Sequence, residues 1–195
     1  MTGKLFFATG NKGKIEEMEP FFQERDLALE QVDVDVPEID TLDVEDVARR
    51  KVKDSYQKAL EKGEISEGDM LIVEDTGFYV SSLGGFPGAE AAYFAGTAGA
   101  EKLLKLLKGE NDRSAYFKTA IAVIQDGEID IFSSKLEGKV PERKAGRSHD
   151  QLPYNSFFIP QEREGEQSLA ENPMYENESF HRTQATLKFL DWVQN

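Results

Sequence analysis

The feature that most restricts the fold is a pair of long apolar segments on either side of Asp126-Gly127. Together they read AYFKTAIAVIQDGEIDIFSSKLEGKV, from residue 115 to residue 140. Asp-Gly is a favoured two-residue hairpin turn, because both residues tolerate the positive φ that the turn requires. The segment therefore predicts two long antiparallel strands, and any fold for this chain must contain the sheet to which they belong.

The N-terminal half instead alternates short apolar segments with segments of helical period. An apolar run at 28–34 predicts a second strand, the glycine- and proline-rich run 83–88 predicts a loop, and NSFFIP at 155–160 predicts a short late strand. The other predicted elements are strands at 4–8 and 70–73, and helices at 11–24, 44–62, 98–107 and 181–193. Strand–helix alternation followed by a large hairpin favours a single α/β domain, residues 1–195, with a mixed sheet.

Charge and composition exclude several classes of function. The chain has 23 basic and 37 acidic residues and a formal net charge of −14, so it would repel polymeric nucleic acid. It has no cysteine, which excludes disulfides and thiolate chemistry, and only two histidines. A metal site would therefore consist mainly of carboxylates and suit Mg²⁺ or Mn²⁺. We expect a cytoplasmic protein, since no apolar segment approaches a membrane span or a signal sequence.

A small polar turn joins the first predicted strand to the first predicted helix. It contains six consecutive residues, Thr9, Gly10, Asn11, Lys12, Gly13 and Lys14. A turn of this kind directs backbone N–H groups and the positive end of a helix dipole at one point, which is a geometry that binds phosphate. It lacks the ending of a Walker loop. The structural alternative is a well-capped helix after a tight turn.

A second polar motif follows the predicted strand 70–73. The sequence IVEDTG places Glu74 and Asp75 after an apolar run, where ligands of open α/β sheets usually bind. Two adjacent carboxylates near a phosphate would repel each other, so we expect a metal ion between them. The alternative is a solvated acidic turn.

With these motifs in place, the sequence resembles the inosine triphosphate pyrophosphatase (Ham1-like) family, which hydrolyses deaminated purine nucleoside triphosphates. The matching motifs occur in the family's order and span nearly the whole chain. They are Thr9-x-Asn11-x-x-Lys14, EDTGFYVSSLGGFPG at 74–88, NDRSAYFKTAIA at 111–122, SFFIP at 156–160, and His181-Arg182 before the closing helix.

The resemblance implies roles for the phosphate and metal residues. The turn at 9–14 would bind the triphosphate together with Lys51, and Thr76 would contact the substrate. Glu38 and Asp75 would bind Mg²⁺, and Asp75 would also orient or deprotonate the attacking water. The implied fold is a bent mixed β-sheet flanked by helices, in two lobes with a nucleotide cleft between them. The family also implies a homodimer.

The base-binding half departs from the family pattern. His181 and Arg182 would lie near the base, but the preceding Phe-Gly-Tyr/Trp-Asp motif is replaced. Its positions hold Leu152, Pro153, Tyr154 and Asn155. A gapless alignment puts Glu176 at the place of the family's lysine and Phe180 at that of its serine. A carboxylate cannot donate to the O6 oxygen of a deaminated purine, as a lysine can.

Three functions follow from this comparison. The first is Mg²⁺-dependent hydrolysis of deaminated purine triphosphates such as ITP, dITP and XTP to monophosphate and pyrophosphate. The second is the same chemistry with altered or relaxed base choice. The third is a nucleotide-binding protein that has lost catalysis.

Overall fold

In the computed structural model, which describes residues 3–37, 39–147, 152–161, 167–171 and 180–194, the predicted hairpin is present. Strand β5 (Ser114–Gln125) pairs antiparallel with β6 (Glu128–Lys139) along its full length. Asp126 and Gly127 have φ values of 51° and 85°. Both are positive, as a two-residue hairpin turn of this type requires.

The hairpin belongs to a mixed sheet, which confirms the predicted α/β class. Within the described residues, seven strands form this sheet in the order β2-β1-β3-β5-β6-β7, with β4 paired to β3. Strand β1 is parallel to β2 and to the first residues of β3, and the remaining pairs are antiparallel. The bounds are β1 Leu5–Ala8, β2 Glu30–Val32, β3 Met70–Val80, β4 Pro87–Gly88 and β7 Ile159–Pro160.

Helices cover both faces of the sheet. On one face, α2 (Val44–Lys62) packs against a cluster that includes Val73 and Ala120. On the other face, α1 (Lys12–Gln23) and α5 (Phe180–Val193) pack against a cluster that includes Ile72 and Ile121. Alternate residues of one strand point to opposite faces, so β3 and β5 each contribute to both clusters.

The ends of α1 and α2 follow local signals in the sequence. The Asn11 side chain accepts a hydrogen bond from the Gly13 N–H at 2.9 Å, and the Asp43 side chain accepts one from the Glu45 N–H at 2.9 Å. These contacts satisfy backbone donors that a helix start leaves unpaired. Gly63 ends α2 in the left-handed conformation, with φ 69°.

Three predicted elements differ from the structure. Strand β3 continues through Val80 instead of ending at 73, because β5 pairs with it as far as Val80. The predicted strand 28–34 forms only at Glu30–Val32. The predicted helix 98–107 forms only as α4 (Lys102–Leu106), and a helix that was not predicted, α3 (Ala91–Thr97), precedes it. Gly99, with φ 86°, separates them.

Two smaller corrections concern the segments predicted as a loop and as a late strand. Pro87–Gly88, within the predicted loop, forms β4 and pairs with Phe78 and Tyr79. Proline is tolerated there because β4 pairs only with β3 and lies off the main path of the sheet. In NSFFIP, Asn155–Phe157 is a 3₁₀ turn and only Ile159–Pro160 is a strand. No helix within the described ranges is long and apolar enough to cross a membrane.

Candidate active site

A cleft of about 790 Å³ brings together most of the residues predicted to form the site. It lies where the parallel part of the sheet ends, beyond Ala8 of β1 and Val73 of β3. The predicted site residues that line it are Thr9, Gly10, Asn11, Lys14, Lys51, Asp75, Thr76, Leu152, Tyr154, Asn155, His181 and Arg182. Residues predicted to bind the phosphates and residues predicted to bind the base therefore share one cavity.

The remaining four predicted residues are not among those that line the cleft. Lys12 and Gly13 belong to the first turn of α1, next to the cleft-lining Asn11 and Lys14. Glu38 and Glu176 lie outside the described residues.

The turn at 9–14 has the geometry of the capped-helix alternative and also lines the cleft. The Thr9 hydroxyl oxygen accepts a hydrogen bond from the Asn11 N–H at 3.1 Å, and the Asn11 side-chain oxygen accepts one from Gly13. These two oxygen atoms hold the turn in shape. The amide nitrogen of Asn11 is therefore the end of that side chain left to donate to a ligand.

The main feature that the sequence prediction missed is the role of Glu74. This carboxylate is 2% exposed, and its Oε2 atom lies 2.6 Å from the Lys14 ammonium. Lys14 also donates to the Glu74 carbonyl oxygen at 3.0 Å, and the Arg182 Nε–H donates to Glu74 Oε1 at 3.2 Å. We refer to Glu74, Lys14 and Arg182 as the Glu74 cluster. It connects α1, β3 and α5.

The cluster is charged at neutral pH. Burial raises the pKa of the Glu74 carboxyl, but the positive charges of Arg182 and Lys14 outweigh that effect and hold the pKa well below its usual range. Burial lowers the pKa of the Arg182 guanidinium, but the negative charges of Glu74 and Glu17 outweigh that effect and raise the pKa above its usual value. The Lys14 ammonium therefore stands beside an ionised partner that fixes its position.

The side chains of Glu74 and Asp75 point to opposite faces of the sheet, which differs from the expectation that one metal ion lies between them. Successive residues of a strand point to opposite faces. Glu74 and Ile72 therefore share the face covered by α1 and α5, whereas Asp75 and Val73 share the face covered by α2. The repulsion between the two carboxylates is weakened because they point apart and because Lys14 and Arg182 neutralise the charge of Glu74.

Asp75 retains the chemistry of a magnesium ligand. It lines the cleft on the face of α2, the helix that carries Lys51. The part of the chain that the structure describes contains no group of three or more histidine, aspartate or glutamate side chains able to hold a metal ion. Mg²⁺ usually binds through one or two carboxylates and takes its other ligands from water and substrate phosphates. Among the described residues, Asp75 is one of five carboxylates that line this cleft, with Asp33, Asp35, Glu74 and Glu90, so a site with one or two carboxylate ligands fits that pattern.

His181 is a neutral ring at physiological pH. It is buried, its ring stacks on Phe117 at 4.9 Å with an interplanar angle of 12°, and its Nδ1 atom lies 2.7 Å from the Thr119 hydroxyl. Burial and the nearby Arg182 charge lower its pKa to about 3, although Glu74 acts in the opposite direction. The adjacent His181 and Arg182 thus contribute one neutral and one charged group.

Farther along β3 from Glu74, around Phe78, the cleft is lined by aromatic and apolar residues. Tyr154 is buried, stacks on Phe78 at 4.8 Å and donates its hydroxyl hydrogen to the Ala91 carbonyl at 2.6 Å. Leu152, an aliphatic residue, lines the same cavity. Tyr93 of α3 also lines it and is 70% exposed. The hydroxyl of Tyr154 therefore stabilises the fold through its bond to Ala91, whereas the ring of Tyr93 is exposed to solvent in the cleft.

Comparisons with known proteins agree with this architecture. The sequence model of the Ham1 family matches residues 5–192. A dITP/XTP pyrophosphatase of Methanopyrus kandleri is 34% identical over 98% of this chain and 97% of its own length, and one of Thermococcus kodakarensis is 34% identical with the same coverage. The structure of the Staphylococcus aureus Ham1 protein superposes with a TM-score of 0.80, at 24% identity and 98% coverage of both chains.

The Glu74 cluster leads to a prediction about stability. Glu74→Gln removes the negative charge between two cations, so the free energy of unfolding at pH 7 should fall by about 3–5 kcal/mol. Because the folded state lowers the pKa of Glu74 from 4.5, its contribution is present above about pH 4.5 and decreases as the pH falls below that value. Urea denaturation should therefore show a smaller difference between the two proteins at pH 3 than at pH 7.

Glu17→Gln is the matched control. Glu17 pairs with the same Arg182 but its side chain is 31% exposed, so its loss should cost at most about 1 kcal/mol. Equal losses for the two variants would show that Glu74 is not the central charge of the cluster.

Proposed function

This chain belongs to the Ham1 family, and we propose that it hydrolyses nucleoside and deoxynucleoside triphosphates to a monophosphate and pyrophosphate. As a member of this family it is a hydrolase of nucleoside triphosphate anhydride bonds, in agreement with the relatives named dITP/XTP pyrophosphatases. The proposed substrates are deaminated purine nucleotides such as ITP, dITP and XTP, whose removal would be a house-cleaning activity. We also propose a cytoplasmic homodimer.

The observation that carries this proposal is the polarity of the cleft. Lys14, Lys51, Asp75 and residues 9–11 of the turn line one cavity, and farther along β3 from Glu74 the same cavity is lined by aromatic and apolar residues such as Phe78 and Tyr154. A nucleoside triphosphate has the same division between a highly charged chain of phosphates and a flat base. The cavity volume of about 790 Å³ is also within the range typical of small-molecule sites.

The charged residues divide the work of binding and catalysis. Lys14, held by Glu74, would bind phosphate oxygens and oppose the charge that develops during displacement. Lys51 would approach the phosphates from the α2 side of the cleft. Asp75 would accept the proton of the attacking water or orient that water toward the α-phosphorus. Hydrolysis there releases the β- and γ-phosphates together as pyrophosphate.

Magnesium fits this site as a cofactor. Asp75 and Glu38 would hold it, and Mn²⁺ would suit the same oxygen ligands. When bound, the ion would neutralise phosphate charge and stabilise the charge that builds during displacement.

A second candidate function is the same hydrolysis with relaxed base choice. Leu152 lines the cleft at a position where an aromatic residue was expected, and it offers apolar contact without stacking. Base–aromatic stacking contributes about 1–3 kcal/mol to every base alike, so base choice rests on hydrogen bonds to the base edge, and Glu176, at the place of the family's lysine, cannot donate one to O6 while it is ionised. The third hypothesis, nucleotide binding without catalysis, is not favoured, because the catalytic candidate Asp75 lines the same cavity as Lys14 and Lys51.

The product of the reaction tests the proposed function. A panel of ITP, XTP, dITP, GTP, ATP and CTP is incubated with the protein and Mg²⁺, and pyrophosphate and orthophosphate are measured separately. We expect pyrophosphate as the primary product, with ITP, dITP and XTP turned over faster than ATP. Orthophosphate as the primary product would contradict the proposal. Similar rates for all bases would support relaxed base choice.

A substitution tests the role of Asp75. Asp75→Asn preserves the shape of the side chain and removes its ability to accept a proton, so kcat should fall at least about 10²-fold. Asp130→Asn, which changes an exposed carboxylate of β6 outside the cleft, is the control and should leave kcat unchanged. Thermal unfolding of both variants checks that the fold is intact. Normal turnover by Asp75→Asn would remove this residue from the mechanism.

A further inference from the structure

A chain of short polar contacts runs from the Glu74 cluster across the sheet to His181. The Thr76 hydroxyl donates to Glu74 Oε1, the Thr76 and Thr119 hydroxyl oxygens lie 2.6 Å apart, and the Thr119 hydroxyl lies 2.7 Å from His181 Nδ1. Thr76 and Thr119 are directly opposite each other on β3 and β5, so their side chains share one face of the sheet. Thr119 is fully buried.

The direction of every hydrogen bond in this series follows from Glu74, where the series begins. Glu74 lies between two cations and is ionised, so it can only accept. Each threonine hydroxyl has a single hydrogen. Thr76 donates that hydrogen to Glu74 and must accept from Thr119, and Thr119 must in turn accept from His181. His181 Nδ1 therefore carries the hydrogen in this arrangement.

A neutral histidine with hydrogen on Nδ1 has a lone pair on Nε2. We propose that Thr119 is a positioning residue that fixes this tautomer of His181, so that Nε2 acts as a hydrogen-bond acceptor toward the edge of a purine in the cleft. Both His181 and Phe117, on which its ring stacks, line that cavity. This inference rests on the proposed function, since it assigns part of its base selectivity.

The proposal predicts a preference against adenine. Hypoxanthine and xanthine carry hydrogen on N1, which can donate to Nε2. The N1 atom of adenine is an acceptor, so it would face the lone pair of Nε2 and leave two buried acceptors opposed, which is costly. Guanine also carries hydrogen on N1, and this contact does not select against it. The relevant comparison is therefore between ITP and ATP.

The first measurement is the tautomer itself. The chain has two histidines, His149 and His181, so His149→Gln leaves His181 as the only signal. Two-bond ¹H–¹⁵N correlation spectra of that protein should show a protonated Nδ1 and an unprotonated Nε2 at neutral pH. A ring protonated on Nε2 would overturn the proposal, whatever happens to any variant of Thr119.

The second measurement links the tautomer to selectivity. Thr119→Val keeps the shape of the side chain and removes the hydroxyl, so we expect hydrogen to appear on Nε2 and the ITP-to-ATP ratio of kcat/KM to fall about tenfold. Thr119→Ser restores a hydroxyl and should restore both the tautomer and the ratio. Thr119→Val should still release pyrophosphate from ITP, because the phosphate residues are unchanged.

The outcomes separate this proposal from the proposed function. An unchanged tautomer in Thr119→Val, or a changed tautomer with an unchanged ratio, would overturn the role of Thr119. Pyrophosphate release without any preference for ITP in the unaltered protein would also overturn it and leave the pyrophosphatase function standing. Failure of the unaltered protein to release pyrophosphate from any triphosphate would instead reject the proposed function.

Discussion

The buried carboxylate of Glu74 is the interaction on which the rest of the site depends. A buried carboxylate costs several kcal/mol of lost hydration, which must be offset by close opposite charges and hydrogen bonds. Lys14 and Arg182 supply the charges, and Thr76 supplies a further hydrogen bond. Because these partners come from α1, α5 and β3, the carboxylate fixes the positions of three elements at the end of the sheet.

The same carboxylate organises both halves of the cleft. It holds the Lys14 ammonium beside the turn that we propose binds phosphate. Through two threonine hydroxyls it also sets the direction of the hydrogen bonds that end at His181. Asp75, the next residue, faces the other side of the sheet and lines the cleft. One strand thus carries a structural carboxylate and, next to it, the carboxylate that we propose takes part in catalysis, and the alternation of β3 directs the two to opposite faces.

The sequence predicted the elements that have local signals. Asp126-Gly127 located the hairpin, and the predicted range of α2 was correct because Asp43 caps its start and Gly63 its end. Features that depend on distant partners were missed. Glu74 and Asp75 were interpreted as the end of a strand, since pairing with β5 is not visible locally. Glu74 is predicted from the sequence to share a metal ion with Asp75, because its actual partners Lys14 and Arg182 are remote in sequence, and Thr119 is hidden within an apolar run. The sequence signal for these ion pairs is that Glu74, Lys14 and Arg182 all belong to motifs of the same family.

The central claim is that water attacks the α-phosphorus of a nucleoside triphosphate in this cleft. Hydrolysis of ITP in water enriched in ¹⁸O, followed by mass spectrometry of both products, tests that claim directly. Attack at the α-phosphorus places one ¹⁸O atom in the monophosphate and none in the pyrophosphate, which is the result we expect. Label in the pyrophosphate would show attack at the β-phosphorus and would contradict the arrangement of Asp75 and Lys14 described above.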